Sequence, residues 1–152
     1  MEWKSGEFKE KLGHASILHD ITLDNPDLAM AIDLESNDLE NYHEEVINES
    51  KKHPLVIAEM VASESHIPTN VDNIIANHHE KPEQTGFPRQ LSSNRISQLE
   101  GVFNVAHGFV NELYRTNFDE ASYPQIIEDM KKRFDTGNYR EAIKGLSAQF
   151  NI

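Results

Sequence analysis

The chain has 152 residues, of which 38% are hydrophobic, so it can bury the core of one domain without cross-links. It contains no cysteine, which excludes disulfides and thiolate ligands, and any metal site must therefore use imidazole and carboxylate groups. The net charge of −12 argues against nucleic acid as a partner, because phosphate binding depends on clustered Lys and Arg. No apolar run reaches the roughly 20 residues that span a bilayer, and the N-terminus lacks a signal-peptide pattern. We therefore expect a cytoplasmic protein without membrane insertion.

The first predicted helix ends near Thr22, where DNPD breaks it, and its apolar face consists of Phe8, Leu12, Ala15, Leu18 and Ile21. Asp38 is predicted to cap a second helix, which Pro54 interrupts. The segment LVIAEMVA then forms a third helix. Pro68 stands near the start of a fourth, TNVDNIIANHHE, so the pair His78 and His79 is expected to end a helix.

The second half of the chain begins with KPEQTGFPRQLSSN, whose prolines, glycine and serines predict an ordered loop. The long apolar segment ISQLEGVFNVAHGFVNELY follows, and we expect it to be the most buried helix. SYPQ has the form of a capping box for a helix through Phe134, and DTGN with Glu141 is expected to cap the last helix. No alternating strand pattern is present, so the sequence predicts one all-α domain over residues 1–152 with about six or seven helices.

Histidines are unusually frequent, and several of the eight fall on predicted helices or at their ends, namely His19 beside Asp20, His53, His78, His79 and His107. Imidazole and carboxylate groups suit Zn, Fe, Mn or Ni, and the helices of one bundle can direct several such groups inward. A single histidine is more often a surface residue or a hydrogen-bonded core residue. His43 and His66 fall on polar stretches and are expected at the surface, and we assign no function to His14. From the residues alone, a metal site and a polar core that binds nothing both stay open.

Four motifs occur in the order found in a known family. ASILHDITL resembles AALLHDIGK, and HHEKPEQTGFPRQL resembles HHERxDGxGYPxGL without a gap. ESKKHPLVIAEMV resembles a helix with a metal-binding His before Pro, and ISQLEGVFNVAHGFVNEL resembles IPLxARIxxVADxFDAL. The chain thus resembles the HD-GYP domains, bacterial phosphodiesterases of the HD superfamily that hydrolyse cyclic di-GMP. This resemblance covers nearly the whole chain and implies an HD-domain-like helical bundle.

The resemblance also implies a site. Its metal ligands would be His19, Asp20, His53, His78 and His79, with His107 in place of an aspartate, and Asp20 would also be catalytic. The metal would be Fe, Mn or Zn, and the reaction the hydrolysis of a phosphodiester. The signature loop would comprise Glu80, Lys81, Glu83, Gln84, Gly86, Phe87 and Pro88.

The chain departs from the family pattern at several elements. The lysine of HDxGK is Leu23, which offers neither a cation nor a proton donor, and His107 cannot bridge two ions as a carboxylate does. EQTGFP lacks the tyrosine hydroxyl of DGxGYP, and Asp119 with Glu120 falls where the family has the basic RPYRK stretch. The preceding ligand helix has no counterpart, because the chain starts only 18 residues before His19. We therefore expect one metal ion or none, rather than a cluster of two or three.

Three hypotheses about function follow. The first is a degenerate HD-GYP-like signalling domain, impaired in cyclic di-GMP hydrolysis, that acts through a protein partner and is the output part of a longer protein. The alternative is an active, divergent phosphohydrolase that uses His107 and takes cyclic di-GMP or another phosphodiester, smaller or less acidic. The third is a scaffold whose histidines form a polar core that binds no metal.

Overall fold

The structure is a computed structural model that describes residues 6–152. Within this range the chain forms eight α-helices and three short 3-10 turns and no strand, so the all-α prediction is confirmed. Two compact units divide at the twin histidines, the first ending at His78 and the second spanning His79–Ile152. The expectation of one domain stays a prediction, and each unit is described below by itself. Over residues 6–152, no helix is long and apolar enough to cross a membrane.

The first unit contains five helices: α1 (Gly6–Leu18), α2 (Pro26–Asp33), α3 (Glu44–Ser50), α4 (His53–Ala62) and α5 (Val71–Ala76). The short helix α5 packs against both α1 and α4, and α2 packs against α3. Buried apolar side chains from four of these helices form the core: Ala15, Leu28, Ala31, Ile32, Ile57, Ala58, Val61, Val71, Ile74, Ile75 and Ala76. This packing brings the end of α1, the start of α4 and the end of α5 to one region of the unit.

The helix boundaries around DNPD differ from the prediction. Helix α1 ends at Leu18, and the backbone N–H of Leu23 donates to the carbonyl of Asp20 at 2.9 Å in the turn that follows. DNPD separates two helices, because it follows the turn after α1 and also forms the start of α2. Asn25 caps α2 by accepting a 3.0 Å hydrogen bond from the Leu28 N–H, and Pro26 occupies the first turn, where it needs no N–H.

Asp38 does not cap a helix, contrary to the prediction. Its backbone N–H donates to the Ser36 hydroxyl at 3.1 Å, and its carboxylate accepts from the same hydroxyl at 2.8 Å. These local bonds hold Asn37–Asn41 as a 3-10 turn, and the α-helix begins only at Glu44. The expected interruption at Pro54 is confirmed, since this proline lies in the first turn of α4, which is separate from α3.

The second unit contains α6 (Gln98–Arg115), α7 (Tyr123–Arg133) and α8 (Gly137–Gln149), which pack against one another. Short 3-10 turns precede α6 at Ser93–Arg95 and α7 at Glu120–Ser122. The core consists of Ile96, Val105, Phe109, Ile126, Ile127, Met130, Phe134, Tyr139, Ala142 and Ile143. The predicted long helix is therefore α6.

The capping predictions in this unit were wrong. The capping box lies at Ser97 and Glu100 of α6, whereas Ser122 and Thr136 make no side-chain cap. Gln125, the expected partner of Ser122, instead donates to Asp129 at 2.8 Å. The prediction that the long helix α6 is the most buried was also wrong. Six of its 18 residues are buried, whereas four of the six residues of α5 are buried.

Candidate metal centre

Four predicted ligands meet in the first unit, each beside a helix end. His19 and Asp20 follow the last residue of α1, His53 is the first residue of α4, and His78 comes two residues after α5. Residues at helix ends can turn their side chains toward a neighbouring helix end without interrupting the intrahelical hydrogen bonds. The contacts of α5 with α1 and α4 bring these ends together.

The carboxylate of Asp20 is the centre of this group. Its Oδ2 lies 3.2 Å from Nε2 of His19, and its Oδ1 lies 3.2 Å from Nε2 of His53 and 3.5 Å from Nε2 of His78. The Nε2 atoms of His53 and His78 are themselves 3.3 Å apart. The His78 side chain is fully buried, whereas that of Asp20 is 30% exposed, so solvent reaches one side of the cluster.

The other ring nitrogen of each histidine determines its tautomer. The Nδ1 atoms of His19, His53 and His78 lie 3.1, 2.8 and 2.7 Å from backbone carbonyl oxygens of Ser16, Ser50 and Ile75. A carbonyl oxygen only accepts, so each neutral ring carries its proton on Nδ1. Each Nε2 therefore presents a lone pair. A carbonyl behind Nδ1 is a usual second-shell partner of a metal-binding histidine.

This arrangement is suited to a cation. With the rings neutral, the buried Oδ1 of Asp20 faces the lone pairs of His53 and His78, and these two lone pairs face each other. One ligand atom each of Asp20, His53 and His78 lies within 4.8 Å of the other two, so these residues could hold a divalent ion that relieves the repulsion, with His19 beside the other carboxylate oxygen. Imidazole and carboxylate ligands suit Zn, Fe or Mn. This His and Asp cluster can thus hold a metal ion.

The charges of the cluster shift its pKa values in different directions. Burial lowers the pKa of His78 and would lower that of His19, but the hydrogen bond that a protonated His19 ring donates to Asp20, together with the charge of Asp20, raises the pKa of His19 above its ordinary value. Burial alone would raise the pKa of Asp20, and the three imidazoles instead hold it far below its usual range. Asp20 is therefore a carboxylate at neutral pH, which is the form that binds a metal.

Asp33 is a further acidic residue of this region that the sequence analysis did not single out. It is the last residue of α2 and is half-buried. Burial, with the nearby charge of Asp20, raises its pKa to about 7. The Asn-Pro-Asp start of α2 was a signal for the helix itself, but only the packing of that helix brings Asp33 near Asp20.

The other two predicted ligands, His79 and His107, lie in the second unit and contact each other. Their rings meet edge to face with centroids 5.4 Å apart, and His79 also stacks on Phe87 at 4.3 Å. The ring of Phe103 also lies nearly parallel to that of His107, with centroids 6.3 Å apart. His79 and His107 thus belong to a group of packed rings in this unit. The surface assignment of His66 is confirmed, as its side chain is 83% exposed.

Glu80 organises the signature loop from a buried position. Its carboxylate accepts hydrogen bonds of 2.7 Å from the backbone N–H groups of Arg89 and Leu91. Its own carbonyl accepts from Asn104 Nδ2 and from the Tyr139 hydroxyl, both at 3.1 Å. The side chain and backbone of Glu80 therefore tie both ends of the loop to α6 and α8.

The other residues of the signature loop differ in backbone conformation and in burial. Gly86 is buried, and a Cβ atom there would clash with the carbonyl oxygen of His79 and lie 2.5 Å from the backbone nitrogen of Lys81. Gln84 has a left-handed backbone with φ of 60°, and Glu83 is exposed. Phe87 and Pro88, joined by a cis peptide bond, are half-buried. The glycine is thus required by a close backbone approach.

Residues 3–138 match the family model described as HD domain, and the chain therefore belongs to the HD domain family. A relative is the cyclic di-GMP phosphodiesterase PdeB of Borreliella burgdorferi, which is 27% identical over 110 residues. The match covers 69% of this chain and 29% of PdeB, so the chain spans less than a third of that protein. No solved structure matches the chain.

Proposed function

We propose that this chain is a divergent HD-GYP-like domain that holds one divalent ion at His19, Asp20, His53 and His78 and hydrolyses a phosphoester. Cyclic di-GMP, on which PdeB is named to act, would be a poor substrate. The chain belongs to the HD domain family, and we add to this membership a proposed activity, a substrate class and a set of metal ligands.

The orientation of the three imidazoles carries this proposal. All three turn Nδ1 toward a backbone carbonyl and Nε2 toward the same carboxylate. With neutral rings, the Nε2 lone pairs of His53 and His78 would meet each other and the Asp20 carboxylate within 3.5 Å, and a divalent ion would relieve this repulsion. A metal ion at this place would activate water and neutralise the charge of a phosphate group.

The local chemistry disfavours a dinucleotide with two phosphates. Leu23 follows the HD pair by three residues and supplies no cation. Asp119 and Glu120 also fall where the resembled HD-GYP family has the basic RPYRK stretch, so two anions stand in place of two cations. Low activity toward cyclic di-GMP is therefore part of the proposal.

The test begins with metal content. Purified protein is loaded with Zn, Mn or Fe, dialysed and analysed by plasma mass spectrometry, together with His53→Ala and the surface control His66→Ala. We expect one ion per chain in the parent and in His66→Ala, and loss of the ion in His53→Ala. Equal metal content in all three proteins would refute the proposed site.

Hydrolysis is then measured on the same samples with bis(p-nitrophenyl) phosphate and with cyclic di-GMP. We expect turnover of the first that requires the metal and is abolished by His53→Ala. Metal binding without any turnover would support the degenerate signalling domain instead. Rapid, metal-dependent hydrolysis of cyclic di-GMP would contradict the stated substrate preference.

A signalling function through a protein partner is the second candidate, and an exposed apolar strip on the second unit favours it. Val110, Tyr114 and Phe118 are each about half exposed, and the rings of Tyr114 and Phe118 meet edge to face at 6.1 Å. Phe118 adopts a left-handed backbone with φ of 58°, which is uncommon for an aromatic residue. In this candidate function the chain is a cytoplasmic output module. A pull-down that Tyr114→Ser and Phe118→Ser abolish would support it.

A further inference from the structure

A cleft of about 450 Å³ opens in the first unit beside the metal centre. It lies between the turn after Asp20, the start of α2, the end of α3 and the start of α4. His53 lines this cleft and also turns its Nε2 toward Asp20, at 3.2 Å. The volume falls in the range of about 300–1,000 Å³ that is usual for small-molecule sites.

The walls of the cleft are mainly apolar. Leu23, Leu28, Val46 and Val56 line it from four different segments. Val46 and Val56 are about half exposed, and Leu28 is buried. An apolar group that enters the cleft can therefore cover exposed methyl groups on two helices, which is favourable.

The charges at the cleft are negative. Asp24 and Glu49 line it, and none of the described residues that line it is Lys or Arg. The nearby Lys52 already donates a 2.6 Å hydrogen bond to Glu49. A second phosphate group in this cleft would meet two carboxylates and no free cation, which is unfavourable.

We propose that this cleft binds the organic part of the substrate, and that the substrate is a small phosphoester with one phosphate and an uncharged, apolar substituent. The inference rests on the proposed hydrolysis at the metal centre and names the substrate class. Water supplies an oxygen to phosphorus, the bond from phosphorus to the ester oxygen breaks, and the alcohol leaves with a proton. The phosphate product carries the other proton or releases it to solvent.

Binding can be measured without turnover by using phosphonates, whose carbon–phosphorus bond is not hydrolysed. Zinc-loaded protein with 13C-labelled Leu and Val methyl groups is titrated with phenylphosphonate and, as a matched ligand, methylphosphonate. Both carry one phosphonate group, and only the first carries an apolar ring. We expect phenylphosphonate to bind at least about tenfold more tightly and to shift the methyl signals of Leu23, Val46 and Val56.

Two variants test the position of the ring. Val56 in the cleft is 48% exposed and Val110 on α6 is 52% exposed, so Val56→Asp and Val110→Asp introduce the same change at similar exposure. We expect Val56→Asp to remove the preference for phenylphosphonate. Methylphosphonate should still bind, more weakly because the new carboxylate repels it, and this binding reports an intact metal centre. Val110→Asp should behave as the parent.

The outcomes separate this inference from the proposed function. Bound zinc with equal affinity for the two phosphonates, or a preference that Val56→Asp leaves unchanged, would overturn the substrate class and leave the metal centre in place. Protein that binds no zinc would overturn the metal centre, and the inference with it. A phenylphosphonate preference lost only in Val56→Asp supports both.

Discussion

Replacing Glu80 with Gln tests whether this residue holds the signature loop. The carboxylate accepts two backbone hydrogen bonds of 2.7 Å, from Arg89 and Leu91, at a fully buried position. A glutamine oxygen can keep one of these bonds, but its NH2 group then points at the second N–H. Donor faces donor, and a buried backbone N–H loses its acceptor.

The expected cost follows from these contacts. A hydrogen bond to a charged group contributes about 1.5–3 kcal/mol, and a buried donor left without an acceptor costs about 1–3 kcal/mol. We expect Glu80→Gln to lower the free energy of unfolding by about 3 kcal/mol or more. With a urea m-value of about 2 kcal/mol/M, the midpoint should fall by roughly 1.5 M.

The assay is urea denaturation at neutral pH, with hydrogen exchange to locate the effect. Glu83→Gln is the matched control, because Glu83 is exposed in the same loop, and it should change stability by less than about 0.5 kcal/mol. The amides of Arg89 and Leu91 should lose protection only in Glu80→Gln. If the two variants were equally stable, the proposed role of Glu80 would be wrong.

Further predictions concern the same loop and the metal centre. Gly86→Ala should destabilise the protein by about 2–3 kcal/mol in thermal melts, because the new methyl group meets backbone atoms of His79 and Lys81. Gly145→Ala, at an exposed position of α8 with nothing near its Cβ position, should instead stabilise by up to about 1 kcal/mol, and the same sign for both would contradict the packing argument. Tyr139→Phe removes a 3.1 Å donor to the Glu80 carbonyl and should cost about 1 kcal/mol in urea; an unchanged midpoint would show that this bond contributes nothing. Asp20→Asn loses the negative donor of the cluster and should weaken zinc binding by at least about tenfold in competition with a chelating dye, whereas parent-like affinity would exclude Asp20 as a ligand.

Patterns within the sequence were sufficient for most helices. Apolar residues predicted α1 and α6, the SYPQ pattern predicted α7, and Pro54 marked the separation of α3 from α4. Local capping was less predictable. Ser122 and Gln125 form the pattern of a capping box, but the Gln125 amide binds Asp129, which lies one turn further along the same helix. Several acceptors lie within reach of the Gln125 amide, and the sequence alone does not indicate which of them it will bind.

The candidate site shows a similar division. Motif order singled out His19, Asp20, His53 and His78, and the structure places all four together. Asp33 was missed, because α2 was not predicted and its position near Asp20 depends on how that helix packs. The role of Glu80 in the loop was also missed. The partners of its carboxylate, Arg89 and Leu91, lie nine and 11 residues along the chain. The partners of its carbonyl, Asn104 and Tyr139, lie 24 and 59 residues along the chain.

By itself, the sequence determined the helical class, the absence of thiolate ligands and the identities of the histidines and aspartate that gather in the first unit. The helical class and the absence of thiolate ligands follow from residue type and from spacing along the chain, whereas the choice of the histidines and the aspartate follows from the resemblance of their motifs to a known family. Only the tertiary structure decided which ring nitrogen of each histidine faces Asp20, and that the cleft beside His53 is apolar with an acidic edge. The physical reason is that tautomers and clefts depend on the carbonyls and side chains that separate helices bring together. The packing of α1, α4 and α5 determines which of those groups meet.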